Sequence, residues 1–273
     1  MSDSSHLPVT EGEIDAAEKL RSHGDFAGAL ARMQEMLPRA GDENTRMLLL
    51  FDIISCSTQI EAHTVTEDAL SELVKLPLPE ISRVLINLTR ANAETDLGRP
   101  QNALDLLDLC METDYFDRDD FRVHKYQLLF FKGKALDRLE RWNDALECLD
   151  MAHLMFPNEG ACVDETARRI YGWVETEILF NKSRSLFGLR RYEEAYEQAR
   201  QAFEREKGDT KTLSLMYMAN CRVMQKKYPE ALKLYLAIQK ELPCRTVREE
   251  ALNEGMNRCL KGLEKLQTHA RPS

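Results

Sequence analysis

Histidine, cysteine and acidic side chains are the residues of this 273-residue chain that could hold a metal or carry catalysis. His153 lies about one helical turn after Cys148, so the two could in principle pair. A Cys that faces a neighbouring helix, beside an ordinary His, is the simpler interpretation. The acidic run DYFDRDDF at 114–121 lacks the Gly and the distant Glu of a calcium loop, so we interpret it as a solvated loop. We therefore predict no metal site.

Enzyme motifs and cofactor motifs are also absent from the sequence. It contains no G-x-x-x-x-G-K-[ST], G-x-G-x-x-G, H-E-x-x-H or G-x-S-x-G pattern. The seven Cys are odd in number and form no C-x-x-C, and most lie in apolar periodic stretches. We expect buried free thiols that act as small apolar side chains. The sequence thus predicts a protein that is not an enzyme and has no cofactor.

The bulk composition limits the kinds of partner. The formal net charge is −9 and the isoelectric point is about 5.3, which argues against nonspecific nucleic-acid binding and against anionic membrane surfaces. No run of 18 apolar residues occurs, so we expect no integral membrane association. The N-terminus has neither the basic start nor the apolar core of a signal peptide, and we expect a cytoplasmic protein.

A repeated pattern indicates the elements of the fold. Similar short segments, such as YEEA, YPEA and WNDA, each end in an alanine that we call the anchor alanine. The anchors are Ala29, Ala69, Ala103, Ala145, Ala195 and Ala231. Twelve residues before them lie six small residues, namely Ala17, Ser57, Ala91, Gly133, Ser183 and Ala219. Two antiparallel helices approach closely only where small residues face each other, so the pattern predicts stacked helical hairpins.

These spacings, with an aromatic residue three positions before most anchors and Pro157 and Pro243 twelve after, resemble the tetratricopeptide repeat (TPR) family. The resemblance implies an all-α fold, a right-handed alpha-alpha superhelix, with about thirteen helices and no sheet. It implies a TPR-like solenoid over residues 10–245. Before this solenoid we expect a disordered N-terminus at residues 1–9. The 50-residue step between Ala145 and Ala195 predicts a long first helix, roughly 163–189.

Helix ends are also visible in the sequence. Thr10 with Glu13, and Thr246 with Glu249, have the spacing of capping boxes. Residues 246–269 carry an apolar stripe, which we expect to close the last hairpin as a C-terminal capping helix. The stripe consists of Val247, Ala251, Cys259, Leu263 and Leu266.

The resemblance implies a concave groove that binds a partner, lined by the first helices of the hairpins. In the last three hairpins its residues are Gln127, Phe130, Phe131 and Lys134, then Glu177, Phe180, Asn181 and Arg184, then Leu213, Met216, Tyr217 and Asn220. One subgroup of the family holds a C-terminal carboxylate of heat-shock chaperones with a set of Lys, Asn and Arg side chains. Here only Asn181 matches that set, so the sequence lacks an intact carboxylate clamp.

Two classes of function follow from the resemblance. The preferred one is a non-enzymatic protein–protein interaction scaffold, an adaptor or subunit of a cytosolic complex, with a partner helix or apolar peptide in the groove. The alternatives are a ligand- or peptide-sensing regulatory protein, or a co-chaperone-like binder without the clamp. Whether the groove is open or filled by the chain's own helices stays an open alternative at the level of the sequence.

Overall fold

The computed structural model describes residues 8–77, 80–117, 122–155, 165–205, 209–240 and 249–269. Within these ranges the chain forms thirteen α-helices and no strand, which confirms the predicted all-α class. The helices are α1 Glu11–Ser22, α2 Phe26–Met36, α3 Glu43–Gln59, α4 His63–Val74, α5 Glu80–Asp96, α6 Pro100–Met111, α7 Arg122–Arg138, α8 Trp142–Met155, α9 Glu165–Gly188, α10 Tyr192–Arg205, α11 Asp209–Met224, α12 Tyr228–Lys240 and α13 Glu249–His269.

Consecutive helices pack as six hairpins, and α13 packs against α12. The chain divides into two compact units at residues 1–121 and 122–273. The first unit contains the hairpins α1–α2, α3–α4 and α5–α6. The second unit contains α7–α8, α9–α10 and α11–α12, followed by α13. The long helix predicted near 163–189 is α9, which has 24 residues.

Small residues lie where the two helices of a hairpin cross. All six predicted small residues and all six anchor alanines are buried. In the hairpin α7–α8, a Cβ added to Gly133 would lie 2.6 Å from Leu149 Cγ and 3.2 Å from the carbonyl oxygen of Ala145. In the next hairpin, Ser183 Oγ donates to the carbonyl of Ala195 at 2.8 Å. The interhelix distance at these crossings leaves no space for a large side chain.

Each hairpin turn uses one residue with a positive φ. Five residues before five of the anchors lie Gly24, Gly98, Glu140, Arg190 and Lys226, all in the left-handed region. The residue that follows then donates its N–H to a carbonyl five positions earlier, as Arg141 does to Leu136 at 3.0 Å. This bond gives a partner from the turn to a carbonyl in the last turn of the first helix, where the donors of the helix itself run out.

The register predicted for the second hairpin is wrong by three residues. Its left-handed residue is Glu61 and α4 begins at His63, so the position of the anchor falls on Thr66 and not on Ala69. Thr66 is fully buried and its hydroxyl lies 2.7 Å from that of Ser57 on α3. Thr66 is 37 residues after Ala29 and 37 before Ala103. The first unit is thus more regular than the alanine spacing indicated.

The two predicted helix caps have different outcomes. At the start of α1, Thr10 Oγ1 accepts from the N–H of Glu13 at 3.3 Å, and Glu13 Oε2 accepts from the N–H of Thr10 at 3.0 Å, which confirms the capping box. Arg39 also donates to the Glu13 carboxylate at 2.8 Å, and this bond lowers the pKa of Glu13 to about 2. Thr246, the predicted cap of the last helix, lies outside the described residues.

The stripe predicted on the last helix is partly wrong. Cys259 is buried and Leu263 is half-buried, but Ala251 and Leu266 are exposed, and Val247 lies outside the described residues. The face of α13 that packs inwards instead consists of Leu252, Gly255, Met256, Cys259, Gly262 and Leu263. Two glycines seat this face: a Cβ on Gly255 would lie 2.5 Å from the Tyr235 ring, and one on Gly262 would lie 2.4 Å from the Tyr228 ring.

Candidate partner-binding face of the second unit

The first helices of the second unit's hairpins form a row. α7 contacts α9, and α9 contacts α11, so each of the twelve predicted groove residues lies on one of three neighbouring helices. We call the exposed side of this row the first-helix face. None of the twelve side chains is highly exposed, and they differ in how deeply they are buried.

Two phenylalanines on α7 lie side by side, Phe130 buried and Phe131 half-exposed. Phe130 is 3% exposed, whereas Phe131 is half-buried, and their ring centroids are 5.4 Å apart. Gln127 and Lys134 are half-buried on the same helix. Gln127 Oε1 lies 3.0 Å from His124 Nδ1. Phe130 therefore belongs to the core, and Phe131 is the α7 ring that solvent reaches.

The same arrangement occurs between α9 and α11. Phe180 is 8% exposed and packs with Leu179, Ala202 and the half-buried Leu213. Tyr217 lies against it with its ring centroid 5.2 Å away and the rings at 80°, an edge-to-face contact that aromatic pairs favour. Met216 is half-buried and packs on the core shared by α11, α12 and α13.

Arg184, a predicted groove residue, forms an ion pair inside the unit. Arg184 Nη2 lies 2.8 Å from Asp137 Oδ2, and Ser185 Oγ donates to Asp137 Oδ1 at 2.9 Å. The Asp137 side chain is only 3% exposed, so this pair links α7 to α9 in a largely water-free environment. Asp137 and Ser185 were not predicted as part of the site, because they are 48 residues apart and no local pattern connects them.

Two predicted asparagines are also engaged. Asn181 is 2% exposed, and its Nδ2 donates to the carbonyl of Glu177 at 2.8 Å. Asn220 Oδ1 accepts from the hydroxyl of Tyr235 at 2.7 Å, a bond between α11 and α12. Asn181, the one residue that matches a carboxylate clamp, therefore has its amide nitrogen bonded to its own helix.

Cys148 and His153 lie in partly buried surroundings on α8. Burial raises the pKa of the Cys148 thiol, and burial together with the nearby Lys182 lowers the pKa of His153. His153 Nε2 lies 3.6 Å from Glu175 Oε1. Among the described residues, no group of three His, Cys, Asp or Glu side chains is placed to hold a metal ion.

The two units carry opposite net charges. The first unit has 24 acidic and 10 basic residues, a formal net charge of −14, whereas the second has 22 acidic and 27 basic residues, a net charge of +5. The overall value of −9 therefore conceals a positive unit. The first-helix face belongs to this positive unit, so the long-range field there favours partners with acidic residues.

Comparison with known proteins shows the fold. No protein-family model and no curated protein matches the sequence. The structure of the apo form of RapI matches with a TM-score of 0.62 and 13% identity, over 94% of this chain and 71% of that chain. A tetratricopeptide repeat protein from Parabacteroides merdae matches with a TM-score of 0.47 and 15% identity, over 92% of this chain and 98% of that one. The TPR2AB domain of yeast Sti1 in complex with pHSP90 matches with a TM-score of 0.38 and 12% identity, over 92% of this chain and 98% of that one.

The chain therefore has the TPR-like helical-repeat fold, as the resemblance of its residue pattern implied. No helix in the described ranges is both long and apolar enough to cross a bilayer.

Proposed function

We propose that the chain is a non-enzymatic interaction scaffold, an adaptor or subunit of a cytosolic multiprotein complex, whose second unit binds a partner helix or apolar peptide on the first-helix face. The observation that supports this most is the edge-to-face contact of the half-exposed Tyr217 on the buried Phe180. A ring held on a core residue offers apolar area while losing little rotamer freedom on binding, and such aromatic residues dominate the energy of many interfaces.

The chemistry of the partner follows from the rings and the charges. Phe131 on α7 and Tyr217 on α11 present half-exposed aromatic surface at two points of the row, which suits apolar side chains of a bound segment. The charge of Arg184, which lies on α9 between these two helices, is offset by Asp137 at 2.8 Å. Apolar contact therefore provides most of the affinity, and acidic residues in the partner aid its approach to the positive unit.

The test truncates the two half-exposed rings and leaves the buried ones in place. Phe131→Ala with Tyr217→Ala removes contact area from the face, and each change to alanine at a central aromatic residue costs about 2 kcal/mol or more of binding energy. The matched control is Met151→Ala with Leu154→Ala on the outer side of α8, where Leu154 is 87% exposed. Affinity capture with quantitative mass spectrometry then compares the recovered partners.

We expect one partner, stoichiometric with the wild-type chain and with the control, to be lost from the double aromatic variant while its circular dichroism and melting temperature stay near those of the wild type. A folded variant that retains the partner would refute the face as the binding site. Recovery of no stoichiometric partner by the wild-type chain would instead favour the alternative of a ligand- or peptide-sensing protein.

A further inference from the structure

The opposite charges of the two units raise the question of where they could meet a complementary surface. The first-helix face uses α7, α9 and α11, so the outer sides of the second helices are not part of that binding face. Two of them, α6 in the first unit and α12 in the second, share an unusual arrangement. Each has one exposed leucine between like charges, and the charges on the two helices are opposite.

On α6 the exposed leucine is Leu109, with 53% exposure. Asp105 lies four residues before it and Glu112, at the end of the helix, lies three after it. Both acidic side chains are exposed, and Asp105 Oδ1 accepts from Gln101 Nε2 at 3.0 Å. The last turn of α6 has no basic residue, so the carboxylate of Glu112 adds to the negative end of the helix dipole.

On α12 the exposed leucine is Leu236, with 41% exposure. Lys233 lies three residues before it and Lys240 lies four after it, and both side chains are exposed. The acidic residue one turn earlier on this side, Glu230, lies 3.0 Å from the Arg222 guanidinium, which offsets its charge. The outer side of α12 is therefore basic around a single apolar residue.

The order of the spacings is reversed between the two helices. At 1.5 Å per residue, the acids lie about 6 Å before and about 4.5 Å after Leu109, and the lysines lie about 4.5 Å before and about 6 Å after Leu236. Two antiparallel helices with the leucines in contact therefore bring Asp105 opposite Lys240 and Glu112 opposite Lys233. A parallel arrangement would not match these distances.

We propose that α6 of one copy of this chain docks antiparallel on α12 of a second copy, with Leu109 against Leu236 and the two acids against the two lysines. The contact is heterologous, since it joins different surfaces, and it either closes into a ring or pair or continues as an open row. Exposed ion pairs are each weak, and the leucine contact is small, so the association is weak and depends on salt.

The first experiment measures the mass of the full-length protein by sedimentation equilibrium. Between about 0.02 M and about 0.5 M salt the Debye length falls from about 20 Å to about 4 Å, and we expect the association constant to fall at least about tenfold. A chain that stays monomeric at low salt would overturn the proposal. So would an association that salt leaves unchanged.

Charge reversal then tests the two faces. Asp105→Lys with Glu112→Lys makes both faces basic, and Lys233→Glu with Lys240→Glu makes both faces acidic. Each double variant alone should stay monomeric at low salt, and a mixture of the two should associate, because the α6 face of one is then complementary to the α12 face of the other. The control Lys226→Glu with Lys261→Glu makes the same change in net charge as the lysine variant, at exposed positions outside α12, and it should associate as the wild type does.

The mixture of the two double variants also distinguishes a contact between two copies from a contact within a single chain. If the two double variants are less stable than the wild type and their mixture stays monomeric, the faces interact within one chain and the proposal is wrong. If association persists in both double variants, it uses other surfaces, and the proposal is equally wrong.

Discussion

Because Gly255 of α13 packs directly on the Tyr235 ring, we predict that replacing this helical glycine by alanine destabilises the chain, whereas such a change usually stabilises a protein. Alanine in place of a helical glycine normally stabilises a protein by about 0.5–1 kcal/mol, because it reduces the entropy of the unfolded chain. Gly255 lies in the interior of α13, so helix propensity alone predicts that Gly255→Ala is stabilising. The packing predicts the contrary.

The new methyl group at position 255 would lie 2.5 Å from the Cζ atom and 2.6 Å from the hydroxyl oxygen of Tyr235. The ring cannot simply rotate away, because Tyr235 is fully buried and its hydroxyl donates to Asn220 at 2.7 Å. Overpacking costs about 1–3 kcal/mol, and a lost hydrogen bond costs about 1 kcal/mol more. With the gain in helix propensity subtracted, we expect Gly255→Ala to destabilise the chain by about 1–3 kcal/mol.

Urea unfolding followed by circular dichroism measures the change, and hydrogen exchange shows whether α13 loses protection first. Gly12→Ala in α1 is the control, since nothing lies within 4 Å of a Cβ added there, and it should be neutral or stabilising. If both variants increase stability alike, α13 is not seated on Tyr235 and the packing described for the last helix is refuted.

Three further predictions concern buried polar groups. Burial raises the pKa of Asp52 to about 6, above its value in the unfolded chain, so the stability of the fold decreases as pH rises from about 4 to about 6. Asp52→Asn should therefore stabilise the fold by on the order of 1 kcal/mol at pH 7, seen as a higher melting temperature, and should change it little at pH 4. Arg184→Ala should cost about 3 kcal/mol in urea unfolding, because it leaves the carboxylate of Asp137 buried without its cation, whereas Arg184→Met with Asp137→Leu should recover most of that loss. Burial raises the pKa of Cys56 to about 11 and that of Cys221 to about 12, so iodoacetamide should alkylate them only after unfolding, and neither a reductant nor a chelator should change the melting temperature.

The hairpins could be predicted because close helix crossings impose a strict requirement on residue size. Gly133, Ser183 and Ala219 differ in chemistry but share a small volume, and all three are buried at crossings. The second hairpin escaped this rule because Thr66 takes the position that alanine has elsewhere, and its hydroxyl is satisfied by Ser57 at 2.7 Å. An alanine pattern does not indicate a helix crossing at which two hydroxyl side chains form a hydrogen bond.

Glycine explains the misassigned stripe on α13. The search for apolar periodicity counts side chains, whereas the inward face of this helix uses Gly255 and Gly262 as seats for two tyrosine rings. Glycine contributes no apolar side chain, so apolar periodicity predicts Ala251 on the inward face, whereas the structure leaves it exposed. The partner rings lie on a different helix, and the sequence alone does not show which residues face each other across helices.

The candidate site was harder to predict for the same reason. The sequence located Phe130, Phe180 and Tyr217 on the first helices, but their exposure depends on side chains from neighbouring helices, and only Tyr217 remains half-exposed. Arg184 is a predicted groove residue with a positive charge. Its bond to Asp137, 47 positions earlier on another helix, offsets that charge, and no local pattern announces such a pair.

The net charge of the whole chain conceals the difference between its two units, although every charged residue is visible in the sequence. A net charge of −9 argues against an anionic partner only if the charges are mixed within about 8–10 Å, the distance over which salt screens them. Once the chain is divided at residue 121, the second unit has a net charge of +5 and the first of −14, so the field around each unit favours partners of opposite charge. A partner that approaches the first-helix face experiences the positive unit, whereas one that approaches α6 meets Asp105 and Glu112. The boundary between the units is therefore what turns the charge count into a statement about binding.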